Sequence, residues 1–376
     1  MKFVVSSSEL LSHLQAISRV ISTKNTLPIL DNFLFNLNKN ELEITASDLE
    51  STLITKMSIE NAEGSGLIAI PARILLDMLK EFSAQPLTFD INMDTLAIVI
   101  NSENGKFNAM GQNGVDFPVL PVLKKEKKNS FTLNSEVLLA GISRTVFATA
   151  DDELRPVMGG ILIEASPEKL TFVASDAHKL VRYQRTDAKA DTACSFILPK
   201  KPATLLKNIL PKEAGPVSVE FDDKNASFTL AGYKAVCRLV EGNYPNYNSV
   251  IPKNNPRKLT IDRSEFYNTL RRVSVFSNQA SNLVRLHLTG NQITVSAQDI
   301  DFSISAYERI KCQYEGDEME IGFKSGFLLE ILANLNSQDV IIELADPTRA
   351  GLFLPAETET EAEDLLMLLM PMMINA

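Results

Sequence analysis

Phe3-Val4-Val5, running into Ser6-Ser7-Ser8-Glu9-Leu10-Leu11, settles the architecture because its pattern occurs three times. Phe131-Thr132-Leu133 runs into Asn134-Ser135-Glu136-Val137-Leu138-Leu139, and Leu259-Thr260-Ile261 into Asp262-Arg263-Ser264-Glu265-Phe266. Successive copies start 128 positions apart. Each is a short β-type alternation that meets a helix start. Ser6-x-x-Glu9 and Asp262-x-x-Glu265 have the form of capping boxes, in which side chains satisfy the first free N–H groups of a helix.

Further landmarks keep nearly the same period. Ile70-Pro71-Ala72-Arg73, Leu198-Pro199-Lys200-Lys201 and Ile321-Gly322-Phe323-Lys324 each open an apolar helix. Ala46-Ser47-Asp48, Ala174-Ser175-Asp176 and Ala297-Gln298-Asp299 each end a strand. Asp116-Phe117-Pro118, Asn243-Tyr244-Pro245 and Leu369-Met370-Pro371 close the three units. Pro28 and Pro156 precede similar strands, without a counterpart in the third unit. Landmarks in one order, three times over, define an internal repeat of roughly 125 residues. Each unit holds two helices and many short strands that alternate in the half-buried manner, as in Glu41-Leu42-Glu43-Ile44-Thr45-Ala46. The expected class is α+β, with two helices packed on antiparallel sheets in each of three domains, 1–123, 129–251 and 257–376. The joints, Leu123-Lys124-Lys125-Glu126-Lys127-Lys128-Asn129 and Pro252-Lys253-Asn254-Asn255-Pro256-Arg257-Lys258, are short and polar.

Composition narrows the function. The 376 residues are 45% apolar and 22% charged, the balance of an ordinary soluble chain. Cys194, Cys237 and Cys312 are scattered and odd in number, which excludes a disulfide framework or zinc knuckle and fits a reducing, cytoplasmic compartment. Three histidines make a histidine-rich metal site improbable. Phe3-Val4-Val5 is too short for a signal peptide, and no apolar run reaches membrane-spanning length. No Gly-rich phosphate loop occurs. The net charge of −10 argues against a protein coated in basic charge. The six expected helices, 8–21, 71–82, 134–146, 199–210, 262–276 and 324–335, nevertheless carry eleven basic and seven acidic residues. Basic helices on an acidic body are consistent with one face that holds a polyanion by its phosphates, and equally with plain solvation of exposed helix faces.

On these landmarks the chain resembles bacterial DNA polymerase III β subunits, the sliding clamps. The similarity runs the full length. It is densest at Thr26-Leu27-Pro28-Ile29-Leu30, Asp48-Leu49-Glu50, Pro71-Ala72-Arg73, Ser175-Asp176-Ala177-His178-Lys179-Leu180, Glu318-Met319-Glu320-Ile321-Gly322-Phe323 and Met370-Pro371-Met372. The resemblance implies a ring-shaped, head-to-tail homodimer that encircles double-stranded DNA without reading its sequence. It implies no reaction, cofactor or metal. The implied partners are the replicative polymerase, an ATP-dependent clamp loader and other clamp-binding polymerases and repair proteins.

The resemblance also assigns sites. A partner-peptide groove maps to Met158, Ser175, Ala177, His178, Lys179, Leu180, Pro245, Val250, Leu368, Leu369, Met370, Pro371 and Met372. Methionines around a proline suit an adaptable apolar surface, although Leu366 and Leu368 read equally as a last core strand. After Met372 the chain continues Met373-Ile374-Asn375-Ala376, where many relatives end on a basic residue and a leucine. DNA-facing positions map to Lys24, Arg73, Lys200, Lys201 and Lys253, each of which alone reads as a solvated cation. Phe107, Val275 and Phe276 map to the ring joint, and an apolar residue there is also ordinary core. Two rivals stand beside the clamp. One is a hydrolase built on Asp176 and His178, the other a monomeric scaffold that never closes. Asp48, Asp176 and Asp299 read as turn carboxylates rather than metal ligands, since no companion ligand spacing exists.

Overall fold

The computed structural model describes residues 1–119, 121, 123, 128–152 and 154–374. Residues 124–127 of the first expected joint and 375–376 of the tail therefore lie outside the described residues. Among the described residues six α-helices form: α1 (Ser7–Ile17), α2 (Ala72–Lys80), α3 (Ser135–Thr145), α4 (Lys200–Ile209), α5 (Arg263–Ser274) and α6 (Ser325–Ala333). They start at the three repeated motifs and the three repeated landmarks. Asp262 caps α5 as expected, its side chain accepting from the Glu265 N–H at 2.7 Å. The Ser6 capping box does not form, since the Ser6 hydroxyl lies 3.0 Å from Ser8 Oγ and makes no cap bond. Ser7 is buried instead, donating to the Ser83 carbonyl and accepting from the Gln85 N–H. α1 stops early at Ile17 and continues as a 3-10 turn, Ser18–Val20.

Contacts divide the chain into two compact units, Met1–Leu139 with Lys201–Leu239, and Ala140–Lys200 with Val240–Ala376. The first unit holds a five-stranded and a nine-stranded sheet. Its nine-stranded sheet joins strands of the first two repeats by pairing Ser51–Ser58 with Tyr233–Arg238, antiparallel. The second unit holds a nine-stranded and a four-stranded sheet. Its nine-stranded sheet joins the second and third repeats by pairing Lys179–Arg185 with Glu363–Leu369, again antiparallel. Both joints use the same two strands of the repeat. The compact units follow these hydrogen-bonded sheets, and the division runs through the middle repeat.

The cores obey the strand alternation. In the first unit Phe3 stacks on Phe89 at 4.9 Å and Phe35 lies 6.4 Å from Phe89, all three fully buried. In the second, Phe172 meets Tyr183 and Phe323 meets Phe353, also fully buried. Burying one such side chain contributes about 1.5–3 kcal/mol.

Candidate partner-binding face

The turn between strands Leu170–Ser175 and Lys179–Arg185 is built by its own side chains. Asp176 Oδ1 accepts from the N–H groups of His178 (2.9 Å) and Lys179 (2.8 Å). Ser175 Oγ accepts from the Ala177 N–H and donates to the Lys179 carbonyl. Ala177 is held at φ +74°, in the left-handed region. The first repeat has the same turn: Asp48 Oδ1 accepts from Glu50 and Ser51, Ser47 Oγ accepts from Leu49, and Leu49 has φ +77°. In the third, Asp299 Oδ1 accepts from the Asp301 N–H in a turn two residues longer. The strand-end aspartates are turn carboxylates, as the sequence predicts.

This geometry removes the hydrolase alternative. Asp176 Oδ2 accepts from Lys179 Nζ at 2.7 Å and Oδ1 from backbone N–H groups, so both oxygens are engaged by groups other than the histidine ring. The His178 ring stacks on Phe327 of α6, centroids 5.6 Å apart. Among the described residues the hydrogen bond from His178 to Asp176 is made by its backbone N–H and not by the ring. Lys179 is buried, reaches Glu330 Oε2 at 3.0 Å, and lies over the Phe327 ring at 4.3 Å. That cation–π contact contributes about 0.5–2 kcal/mol.

Beyond the turn lies an apolar face. Leu180 and Leu368 sit opposite each other in register and pack into a buried cluster with Leu162, Val173, Ile197 and Leu366. Val157, Val240, Tyr244, Tyr247 and Ile251 pack against the cluster while only partly buried. The Tyr247 phenol donates to Glu164 Oε2 at 2.6 Å, and burial together with that carboxylate pushes its pKa up to about 12, so it stays a neutral donor. Met158 is buried in the 3-10 turn Pro156–Gly159 next to Val157, and Pro245 and Val250 are exposed beside Tyr247 and Ile251 in the chain. Leu369 pairs with Lys179, and the Met370 N–H donates to the His178 carbonyl at 2.8 Å. The tail then bridges to the four-stranded sheet, where the Met372 N–H donates to the Gly322 carbonyl at 2.8 Å. Gly322 permits this approach: a Cβ there would meet Met372 O and Ile374 at 3.0 Å and Leu283 at 2.8 Å.

The expected groove residues thus share one unit: Leu180 and Leu368 lie in the apolar cluster, while Leu369, next in the strand, is buried on the opposite face of the sheet beside Lys179. Tyr244, Tyr247 and Val157 were not expected there. The spacing Tyr244-Pro245-x-Tyr247 is the sequence signal that points to them.

The other mapped positions scatter by environment. Lys24, Arg73 and Lys253 are exposed, and the nearest acid to Arg73 is Asp77 at 3.9 Å. Lys200 Nζ donates to both oxygens of Asp151, and Lys201 pairs with Asp48. The exposed Lys200–Asp151 pair is worth about 0–1 kcal/mol, whereas the Asp48 side chain in the Lys201 pair is buried in its turn. Phe107 is 39% exposed on the edge strand Lys106–Met110 and meets Phe82 edge-on. It borders an apolar cleft of about 340 Å³ with Ile70, Ile74 and Met78. Val275 and Phe276, 73% and 37% exposed, follow α5 in the second unit. None of the three is ordinary core.

Repeated units of paired helices on antiparallel sheets, joined repeat to repeat through a shared strand ladder, define a clamp-type protein. Residues 1–121, 132–246 and 248–373 match, in that order, the N-terminal, central and C-terminal domains of the DNA polymerase III beta subunit. The beta sliding clamp of Pseudomonas putida is 28% identical over 99% of this chain and 100% of its own, and that of Escherichia coli 28% over 92% and 93%. The crystal structure of the DNA polymerase III beta subunit of Pseudomonas aeruginosa superposes with a TM-score of 0.92 at 26% identity, covering both chains fully. A sliding clamp from Bartonella birtlesii, bound to griselimycin, gives 0.90 at 27%, also covering both fully. The chain belongs to the DNA polymerase III beta subunit family. Its function is that of a sliding clamp, a non-catalytic processivity factor of the replicative polymerase. Among the described residues no helix is long and apolar enough to cross a membrane.

Proposed function

We propose that two copies close head to tail into a cytoplasmic ring around duplex DNA, and that the apolar face of the second unit captures peptide segments of the polymerase, of other clamp-binding proteins and of an ATP-dependent clamp loader. In this reading the domains are 1–123, 129–251 and 257–376. Lys24, Arg73, Lys200, Lys201 and Lys253 contact phosphates, and the peptide lies over Leu180 and Leu368 between His178, Pro245, Val250 and Met370. Binding to DNA is then topological, with weak, salt-sensitive phosphate contacts. The tethered polymerase gains effective concentration at the primer end.

The observation that carries the ring is the unfinished third joint. Two joints pair the fourth strand of one repeat with the last strand of the next. Among the described residues the corresponding fourth strand of repeat three, Ile304–Lys311, pairs only with Gln292–Asp299, and the corresponding strand of repeat one, Lys106–Met110, only with Ala97–Asn101. Carrying the register of Ser51 on Cys237 and Leu53 on Ala235 through the ladders of the repeat sets Ile304 against Ala109 of a second copy, Ala306 against Phe107, and Tyr307 against Lys106. The first two are apolar pairs, and the Tyr307 ring lies opposite the Lys106 chain, contacts of the kind that stabilise a cross-strand ladder. Exposed edges of this kind invite pairing, and ring closure occupies both. Met110 and Tyr307, 62% and 64% exposed, were not expected at the joint from sequence.

The test is retention on DNA at constant salt. The protein is loaded on a nicked circle with a clamp loader and ATP, the complex is isolated, and half is linearised. Release from the linear half alone is the expected result; equal retention on both would mean ordinary surface binding.

A further inference from the structure

The apolar groove leaves one row of the partner face unused. Strands Cys194–Pro199, Gly160–Ala165, Leu170–Ser175, Lys179–Arg185 and Glu363–Leu369 are neighbours in the sheet, and their register aligns Ser195, Glu164, Thr171, Gln184 and Asp364 across all five. Two residues along each strand, on the same face, the next row is Ile197, Leu162, Val173, Arg182 and Leu366. The face therefore changes from polar to apolar across one line, with Arg182 standing on it.

Over the polar row opens a cavity of about 480 Å³, lined among others by Glu164, Lys169, Arg182, Gln184, Ser195 and Tyr247. Tyr247 belongs to both halves, since it also packs against the apolar cluster. One oxygen of each carboxylate here is engaged. Glu164 Oε2 takes the Tyr247 phenol, and Asp364 Oδ2 takes Arg182 Nη2 at 3.0 Å. The Gln184 amide, oriented to suit its neighbours, donates to Asp364 Oδ2 and accepts from Thr171 Oγ1 and from Lys169 Nζ at 3.0 Å. What remains is donor capacity. Arg182 Nε is buried and has no hydrogen-bond partner, and the Lys169 ammonium carries further N–H groups. A buried donor without an acceptor is costly, and a carboxylate is the acceptor that a guanidinium and an ammonium hold best.

We propose that this cavity receives the carboxylate of an acidic side chain in the same partner segment whose apolar residues fill the groove. The inference rests on the groove reading and adds to it a charge requirement: a segment crossing the line carries an aspartate or glutamate beside its apolar anchors. Lys169 and Arg182 stand against Glu164 and against Asp364, which already pairs with Arg182, so the acid is held by spare N–H groups rather than by a surplus of charge. Tyr247 fixes the distance between anchor and acid, because it walls both compartments.

The probes are fluorescein-labelled nonapeptides with an adjacent leucine and phenylalanine and one glutamate stepped through the other positions, each with a glutamine twin, titrated onto the full-length protein by anisotropy. At one spacing the glutamate peptide is expected to bind about tenfold tighter than its twin, about 1.4 kcal/mol. Lys169→Met and Arg182→Lys, the second keeping the charge while deleting Nε, are expected to erase that ratio and leave the glutamine peptide unchanged. Equal binding of the twins at every spacing overturns the acid site and leaves the groove standing. No binding by any peptide, or binding indifferent to His178→Ala and Met370→Ala, overturns the groove and the acid site together.

Discussion

The two repeat joints share a turn and differ in what lies beside it. Asp48 and Asp176 cap identical backbone loops, and Ser47 and Ser175 brace them in the same way. On the adjoining face the repeat places Thr45, Thr52 and Ala69 in the first unit where the second has Val173, Leu180 and Ile197. Thr52 Oγ1 and Ser47 Oγ are 2.8 Å apart and buried, so this joint satisfies its polar groups internally. The second joint presents a leucine floor, a half-buried pair of tyrosines and a methionine-rich tail. One backbone plan therefore yields a seam with its polar groups satisfied internally and a seam with an apolar face, and three residue choices per repeat separate them.

Making the second joint resemble the first should have the largest effect. Leu180→Thr with Val173→Thr is expected to weaken peptide binding at least roughly thirtyfold, the loss typical of a central anchor, read by anisotropy on protein whose cooperative melting confirms that it folds. Val173→Thr alone, nearly isosteric, should give a smaller loss in the same direction. Next comes the joint that one copy leaves open. Tyr307→Lys sets a cation beside Lys106 in the proposed register, and sedimentation should show self-association weakened by about tenfold or more; an unchanged dimer would mean that the register is wrong. Gly322→Val pushes a methyl group into Met372 and Ile374. Hydrogen exchange at the Met372 N–H should accelerate, and peptide affinity should fall by about threefold to tenfold.

The smallest effect belongs to the first joint. His13 bonds Thr55 and stacks on Tyr233, and burial lowers its pKa below 6.5 against the opposing pull of Glu9. Because the folded pKa is depressed, the unfolded chain binds the proton first. The stabilisation is complete above pH 6.5 and is lost as pH falls through the folded value. Melting curves between about pH 7.5 and 5 should drop less for His13→Gln than for the parent, by about 1 kcal/mol or less. Equal acid sensitivity would remove His13 as the cause.

Much of this was legible in the sequence for a physical reason: helix starts, strand-end aspartates and closing prolines are local signals. The Asp176 turn, the Asp262 cap and the methionine-rich tail were readable on those terms. The shared ladders were not, because Ser51–Ser58 and Tyr233–Arg238 look like any half-buried strands until they are paired. The Ser6 cap failed because Ser7, one residue on, found partners in Ser83 and Gln85 that no spacing rule reveals. Lys200 and Lys201 carried a visible charge, while their companions Asp151 and Asp48 lie far away in the chain.

The ladders also set a timetable for synthesis. Strand Ser51–Ser58 leaves the ribosome well before its partner Tyr233–Arg238, and Lys179–Arg185 well before Glu363–Leu369. At about 5–20 residues per second, each waits roughly 10–40 s with an open edge. Both carry cations during that interval: Lys56, close to Glu41 and Glu43, on the first, and Arg182 and Arg185 on the second. Charges on an uncovered edge discourage other nascent chains from pairing with it. Arg182 then has two duties in succession, guarding the strand while the polypeptide is being made and meeting partners once it is whole.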